Sequence, residues 1–146
     1  MKKRIIGYTT GVFDMFHVGH LNILREAKKQ CDYLIVGVTT DELVEIRKHK
    51  KTIIPLEDRI EIVKAIRYVD EVVIQNDMDK LKAWQKYKFD IIFVGDDWRG
   101  TEKWNKLEMD LLKLGAKTVY FPYTKRVSST KLREILLVSN NGGSND

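Results

Sequence analysis

Two histidines three residues apart, His17 and His20, lie in the segment Thr9-Thr10-Gly11-Val12-Phe13-Asp14-Met15-Phe16-His17-Val18-Gly19-His20. At this spacing on the first turn of a helix, both imidazoles project the same way. Two donors aimed at one phosphate can neutralise charge that develops during phosphoryl or nucleotidyl transfer. The segment follows an apolar run and opens a helical pattern, and the N–H groups and dipole of a helix start favour an anion. Gly11 and Gly19 let the backbone approach a ligand closely. A metal pair is the competing chemistry, but His49 is the remaining histidine and Cys31 the single cysteine, so no Cys-rich shell is available. Two ordinary helix-start histidines are the simplest alternative, and the strand–loop–helix setting weighs against it.

Other charged residues gather where the same chemistry would need them. Arg47, Lys48, Lys50 and Lys51 make four of the five residues 47–51 cationic. Such a run is commonly a solvated face. Here it follows the second apolar run by one short helix and can fold over the same edge, where lysines serve phosphate oxygens as mobile point charges. Arg59 and Arg67, little more than two helical turns apart, can share a face. They are either solvent charges beside Glu57, Asp58 and Glu61, or ligands. Gly95-Asp96-Asp97-Trp98-Arg99-Gly100 follows another apolar run. Its carboxylates are either turn formers or acceptors for a ligand hydroxyl or amino group. Ser128, Ser129 and Thr130 are good N-cap residues, and with Lys125, Arg126 and Lys131 nearby they also suit a triphosphate.

These groups need a frame that brings distant loops together. Residues 4–8, 33–38, 71–74, 91–94 and 118–121 are rich in Ile, Val, Tyr and Phe, of strand length and bounded by polar residues or Gly. Their nearly continuous apolar character predicts strands covered on both faces. Between them run helical patterns: Leu21, Leu24 and Ala27; Ile60, Val63 and Ile66, with Ile62 beside them; Leu107, Leu111 and Leu114, with Gly115 as a stop; and a last helix over 129–137. The order predicts an α/β, Rossmann-like doubly wound fold with a mainly parallel five-stranded sheet and helices on both faces. Ligands of such sheets bind outside the carboxyl ends of the strands, so site residues should sit just after strands.

The length of 146 residues fits one domain, expected over 1–138, with 139–146 a disordered tail. The net charge of +5 permits an anionic partner without identifying it. No apolar run approaches the ~18 residues of a membrane span, and the short apolar stretch after the basic first residues is no signal-peptide core, so a cytoplasmic protein without membrane insertion is expected. A nucleic-acid module would show a continuous basic face with stacking aromatics; here the diagnostic residues sit at sheet-edge loops, so no nucleic-acid partner is expected.

The motifs also carry a resemblance. Gly11-Val12-Phe13-Asp14 with His17-Val18-Gly19-His20 resembles the HxGH signature of the nucleotidyltransferase superfamily. Arg67-Tyr68-Val69-Asp70-Glu71-Val72 is similar to the RYVDEV segment of cytidylyltransferases, and Gly95-Asp96-Asp97-Trp98 to the GDDW of the bacterial glycerol-3-phosphate cytidylyltransferases. The resemblance extends over about residues 3–134. Tyr123 to Thr130 lies at the family's RTxGIST signature, with Tyr123 where the signature has Arg and Arg126 where it has Gly.

The resemblance implies transfer of CMP from CTP to a small phosphorylated alcohol, sn-glycerol 3-phosphate first, giving CDP-glycerol for teichoic acid or capsule assembly. His17 and His20 would stabilise the α-phosphate and the leaving pyrophosphate, and Lys48 and Lys50 would bridge donor and acceptor. Thr10, Gly11, Phe13, Asp14, Gly19, Asp96, Ser128, Ser129 and Thr130 would bind the nucleotide. Arg59, Arg67, Asp97, Trp98, Lys125 and Arg126 would bind the acceptor, with Arg67 the more buried arginine. Mg2+ or another divalent cation would accompany CTP, with Asp14 as its nearest carboxylate. A homodimer is expected. The stretch 101–114, an insertion relative to the short glycerol-3-phosphate enzymes, would pack Trp104 and Met109 in the core and could alter the acceptor pocket. Alternatives within the same chemistry are phosphocholine, phosphoethanolamine, a sugar or polyol phosphate, or FMN with ATP. Outside it stands a non-catalytic nucleotide-binding regulator.

Overall fold

The computed structural model describes residues 4–96 and 99–122. The apolar runs become β1 (Ile6–Gly11), β2 (Tyr33–Thr39), β3 (Glu71–Gln75), β4 (Ile91–Gly95) and β5 (Lys117–Phe121). Between them lie α1 (Val18–Lys28), α2 (Asp41–Lys48), α3 (Leu56–Lys64), α4 (Lys80–Tyr87) and α5 (Glu102–Lys113). The sheet order is β3-β2-β1-β4-β5 and every pairing is parallel. The chain winds outward from β1 in both directions, so the switch point lies between β1 and β4.

The two faces of the sheet follow from the period of two along each strand. Leu34, Val36 and Val38 of β2 join one core cluster with Leu24 and Ala27 of α1 and Val63 of α3. Ile35, between them in sequence, joins Tyr8, Phe89 and Ile92 in a second cluster with Trp104 and Leu111 of α5, against which Leu81 and Trp84 of α4 pack. Helices on both faces are why the strands read as nearly unbroken apolar runs. Helix starts follow from side-chain caps: Thr40 Oγ1 accepts from Leu43 N–H at 3.1 Å, Asp79 from Leu81 N–H at 2.9 Å and Thr101 Oγ1 from Trp104 N–H at 3.3 Å. Gly115, at φ +92°, ends α5 as its position predicted.

Four expectations are corrected. β1 runs to Gly11, three residues beyond the predicted end, because Gly11 still pairs with Val38 and Thr9 Oγ1 donates to Phe93 C=O at 3.0 Å. α3 stops at Lys64, so Arg67 lies outside the helix and shares no face with Arg59. Trp104 is buried, but Met109 is 62 % exposed on the outer side of α5 and is not a core residue. Ile62, read beside the apolar stripe of α3, is likewise exposed.

The amino edge of the sheet is closed by carboxylates. The first N–H groups at a parallel sheet's amino edge have no strand partner and need acceptors. Asp32 accepts from Ile5 N–H at 2.8 Å, Asp90 from Ile6 N–H at 2.9 Å and Asp70 from Leu34 N–H at 2.8 Å. Lys28 Nζ donates to Asp70 at 2.5 Å. Arg67, three residues before Asp70, is exposed at this edge. The expectation that Arg67 is the more buried arginine is therefore corrected, and Arg67 precedes a strand, away from the carboxyl edge where ligands of this fold bind. Among the described residues no helix is long and apolar enough to cross a membrane.

Candidate active site

At the opposite edge the chain leaves β1 through a tight turn in which Phe13 (φ 55°) and Met15 (φ 49°) both adopt the left-handed region. Two such residues in one turn hold strain that the surroundings must offset. Phe13 is buried, and its ring lies 3.0 Å from where a Cβ on Gly11 would stand, so Gly11 clears space for it. Asp14 is buried too, and its carboxylate accepts from Ile53 N–H at 2.9 Å and Ile54 N–H at 2.8 Å. The turn is thus bolted to the segment joining α2 and α3.

His17 caps α1. Its Nδ1 accepts from Gly19 N–H at 3.0 Å, while His20 Nδ1 accepts from His17 N–H at 3.2 Å. The two imidazoles form a reciprocal capping box, and their rings stack with centroids 4.0 Å apart. A neutral imidazole whose Nδ1 accepts carries its proton on Nε2. Both histidines are therefore fixed as Nε2–H donors. Burial lowers the His17 pKa below its ordinary value. Burial and the adjacent His17 ring, partly opposed by Asp14, lower that of His20 to about 3. Both rings are neutral near pH 7. His17 Nε2 is buried without a hydrogen-bond partner among the described residues, a costly state that a ligand acceptor would relieve.

Arg59 is fully buried. Its Nε donates to Ile54 C=O at 2.9 Å, its Nη1 to Val12 C=O at 2.8 Å and Thr39 C=O at 2.7 Å, and its Nη2 to Asp41. Asp41 also accepts from Thr52 Oγ1 at 2.8 Å and Leu56 N–H at 3.3 Å. Burial disfavours the Asp41 anion, but the hydrogen bonds from Thr52 and Arg59 outweigh it and lower its pKa. The expectation that Arg59 contacts an acceptor phosphate is corrected: its guanidinium is spent on the carbonyl ends of β1 and β2 and on the α2–α3 segment. With Asp14 it positions that segment, which carries Lys50 just beyond Lys48, the last residue of α2. Lys48 and Lys50 are both exposed.

Lys80, which the sequence reading passed over, opens α4 directly beyond the carboxyl end of β3. It is 6 % exposed. Its Nζ donates to Thr10 Oγ1 at 3.0 Å and Gln75 Oε1 at 2.6 Å. Gln75 Nε2 donates to Thr39 Oγ1 at 2.9 Å, and Thr39 Oγ1 to Gly11 C=O at 3.2 Å, so the network reaches the β1 turn. Gly37 of β2 lies beneath: a Cβ there would meet Thr10 Cγ2 at 3.0 Å and Tyr8 Oη at 3.1 Å. Among the described residues Lys80 makes no ion pair. Burial first, then Lys103 and Arg47, lower its pKa to about 8. A buried ammonium on two neutral oxygens is a site for an anion. The one sequence signal for it was position, since it too follows a strand.

The structure therefore gathers Thr10, Gly11, Phe13, Asp14, His17, Gly19, His20 and Lys80 at the carboxyl edge, with Asp96 exposed just after β4. Asp97, Trp98, Lys125, Arg126, Ser128, Ser129 and Thr130 lie outside the described residues. Asp14 does not fit the expected role of cation ligand, because both its oxygens already accept backbone N–H groups in a buried setting. No cluster of three His, Cys, Asp or Glu able to hold a metal ion occurs among the described residues.

Neutral imidazole donors, a helix start and a buried lysine at the carboxyl edge of a doubly wound sheet suit a phosphate-bearing ligand. The cytidylyltransferase-like family model matches residues 8–135, and the chain belongs to that family of nucleotidyltransferases. The glycerol-3-phosphate cytidylyltransferase of Bacillus subtilis (strain 168) is 39 % identical over 139 residues, covering 90 % of this chain and 95 % of the relative. An FAD synthase of Pyrococcus abyssi is 38 % identical over 135 residues, covering 92 % and 91 %. Among solved structures, the lipopolysaccharide core biosynthesis protein from Thermoplasma volcanium GSS1 superposes with a TM-score of 0.69 at 30 % identity, covering 84 % of this chain and 98 % of that one.

Proposed function

We propose that this protein transfers CMP from CTP to a small phosphorylated alcohol, with sn-glycerol 3-phosphate the leading acceptor, forming CDP-glycerol and pyrophosphate. The observation that carries the reading is the locked pair of neutral Nε2–H imidazoles at the start of α1. The relatives named as glycerol-3-phosphate cytidylyltransferases support the acceptor.

The acceptor phosphate is already anionic near pH 7, since its second pKa is about 6, so no general base is needed. One of its oxygens attacks the α-phosphorus of CTP. The bond from that phosphorus to the bridging oxygen breaks, and its electron pair leaves with pyrophosphate. Catalysis then consists of positioning and charge stabilisation. His17 and His20 donate to the α-phosphate and the departing oxygen. Lys80 holds the acceptor phosphate beside Thr10, and Lys48 and Lys50 bridge it to the triphosphate. Ser128, Ser129 and Thr130 receive the β- and γ-phosphates. A divalent cation brought in with CTP would neutralise charge on the triphosphate.

The second reading is adenylyl transfer from ATP to FMN, favoured by the identity to the archaeal FAD synthases. A pyrophosphate-release screen of purified protein, crossing CTP and ATP with sn-glycerol 3-phosphate, ethanolamine phosphate, phosphocholine and FMN, separates the two. Turnover with CTP and a phosphorylated alcohol is expected. Turnover confined to ATP with FMN would overturn the first reading in favour of the second.

A further inference from the structure

A cavity of about 320 Å³ lies between the start of α4 and residues 103–110 of α5. Met78 and Leu107 supply apolar lining, Lys80 contributes to one wall, and Lys103 and Lys106 reach it from α5. Lys80 also touches Thr10 of β1, so the cavity adjoins the phosphate-binding turn.

The charges lining it leave a positive balance, with Lys80, Lys103 and Lys106 against Asp79 and Asp110. Asp79 is occupied as the N-cap of α4, accepting from Leu81 and Lys82 N–H. Asp110 pairs with Lys106 at 3.1 Å. Lys103 forms no ion pair among the described residues, and neither does Lys80. The two ammonium groups are close enough for Lys103 to disfavour the proton on Lys80. A cationic group entering this cavity would meet repulsion from both. An uncharged, hydroxylated body would instead find donors in the lysines, an acceptor in Asp110 and apolar contact on Met78 and Leu107.

We infer that this cavity receives the body of the phosphorylated acceptor, and that Lys103 selects uncharged polyol bodies over cationic ones such as an ethanolamine group. The inference rests on the reading that the acceptor is a phosphorylated alcohol. Lys103 is exposed, so its replacement leaves the core intact, and circular dichroism checks this.

The test measures pyrophosphate release from CTP by wild type, Lys103→Gln and Lys103→Glu with sn-glycerol 3-phosphate and with ethanolamine phosphate. Lys103→Glu should raise KM for sn-glycerol 3-phosphate about tenfold with kcat and the KM for CTP nearly unchanged. It should raise kcat/KM for ethanolamine phosphate, and Lys103→Gln should fall between. An acceptor preference equal to wild type in an active Lys103→Glu enzyme overturns this inference alone. A wild type that turns over neither acceptor overturns the proposed function, and the inference with it.

Discussion

The two edges of the sheet are built from opposite chemistry. At the amino edge, Asp32, Asp70 and Asp90 accept backbone N–H groups at the starts of β1 and β2. At the carboxyl edge, Arg59 closes the carbonyl ends of β1 and β2, while His17 Nε2 and Lys80 keep donor capacity for something outside the chain. Hydrogen bonding completed within the protein makes a structural edge. A buried imidazole N–H without an acceptor among the described residues, and a buried ammonium with no carboxylate among them, suit a binding edge.

The largest expected break comes from His17→Asn. Asparagine can still cap α1 but presents no Nε2–H, so kcat should fall about 10²–10³-fold while stability changes by less than about 1 kcal/mol. Pyrophosphate release and urea unfolding check both halves. Unchanged turnover would remove the HxGH turn from the chemistry. Next in size is Lys80→Met, which replaces a buried ammonium by a side chain of similar volume. Loss of a charged contact to the acceptor should raise its KM by about 10–100-fold. Stability should hold or rise, because a buried charge with no ion pair among the described residues is removed. Tighter acceptor binding in this variant would refute the role given to Lys80.

Asp90→Ala probes the other edge. It leaves Ile6 N–H without its acceptor, at a cost of about 1–3 kcal/mol in chemical denaturation. Its kcat should stay within about twofold of wild type, since the chemistry lies across the sheet; a kcat loss as large as that of His17→Asn would end the distinction between the edges.

Much of the binding edge was legible in the sequence because its signals are local. His17 and His20 sit at a strand–loop–helix junction, and the apolar runs are strands because a parallel sheet is covered on both sides. Lys80 was not legible. In Asp79-Lys80-Leu81-Lys82 it reads as one more surface lysine. Only the meeting of Thr10 from β1 and Gln75 from β3 over the bare backbone of Gly37 buries it. Arg59 was misread for a related reason: which carbonyls an arginine satisfies depends on where β1 and β2 end, and β1 ends three residues later than its apolar run. Arg67 was drawn toward the site by a helical pattern that continues past the true end of α3. Leu114, exposed although it continues the spacing of Leu107 and Leu111, shows that spacing on a helix gives a stripe without saying how much of it is covered.

The histidine pair also sets a pH dependence. The His20 pKa is about 3 in the folded protein against 6.5 ordinarily, so the unfolded chain binds the extra proton between those values. The resulting stabilisation is fully present above pH 6.5 and is lost progressively as pH falls toward about 3. Urea unfolding at a series of pH values should show this loss, and His20→Gln should reduce it.

The central claim is that both imidazoles are neutral Nε2–H donors. Long-range ¹H–¹⁵N correlation spectra of the histidine rings, recorded from about pH 5 to 8 with and without CTP, read this directly across the range in which an ordinary histidine titrates. The account requires Nε2–H tautomers for His17 and His20. It further requires a His20 signal that does not titrate in this range, and Nε2–H resonances that shift when CTP binds. Nδ1–H tautomers, or a His20 ring that protonates with a pKa near 6.5, would contradict it.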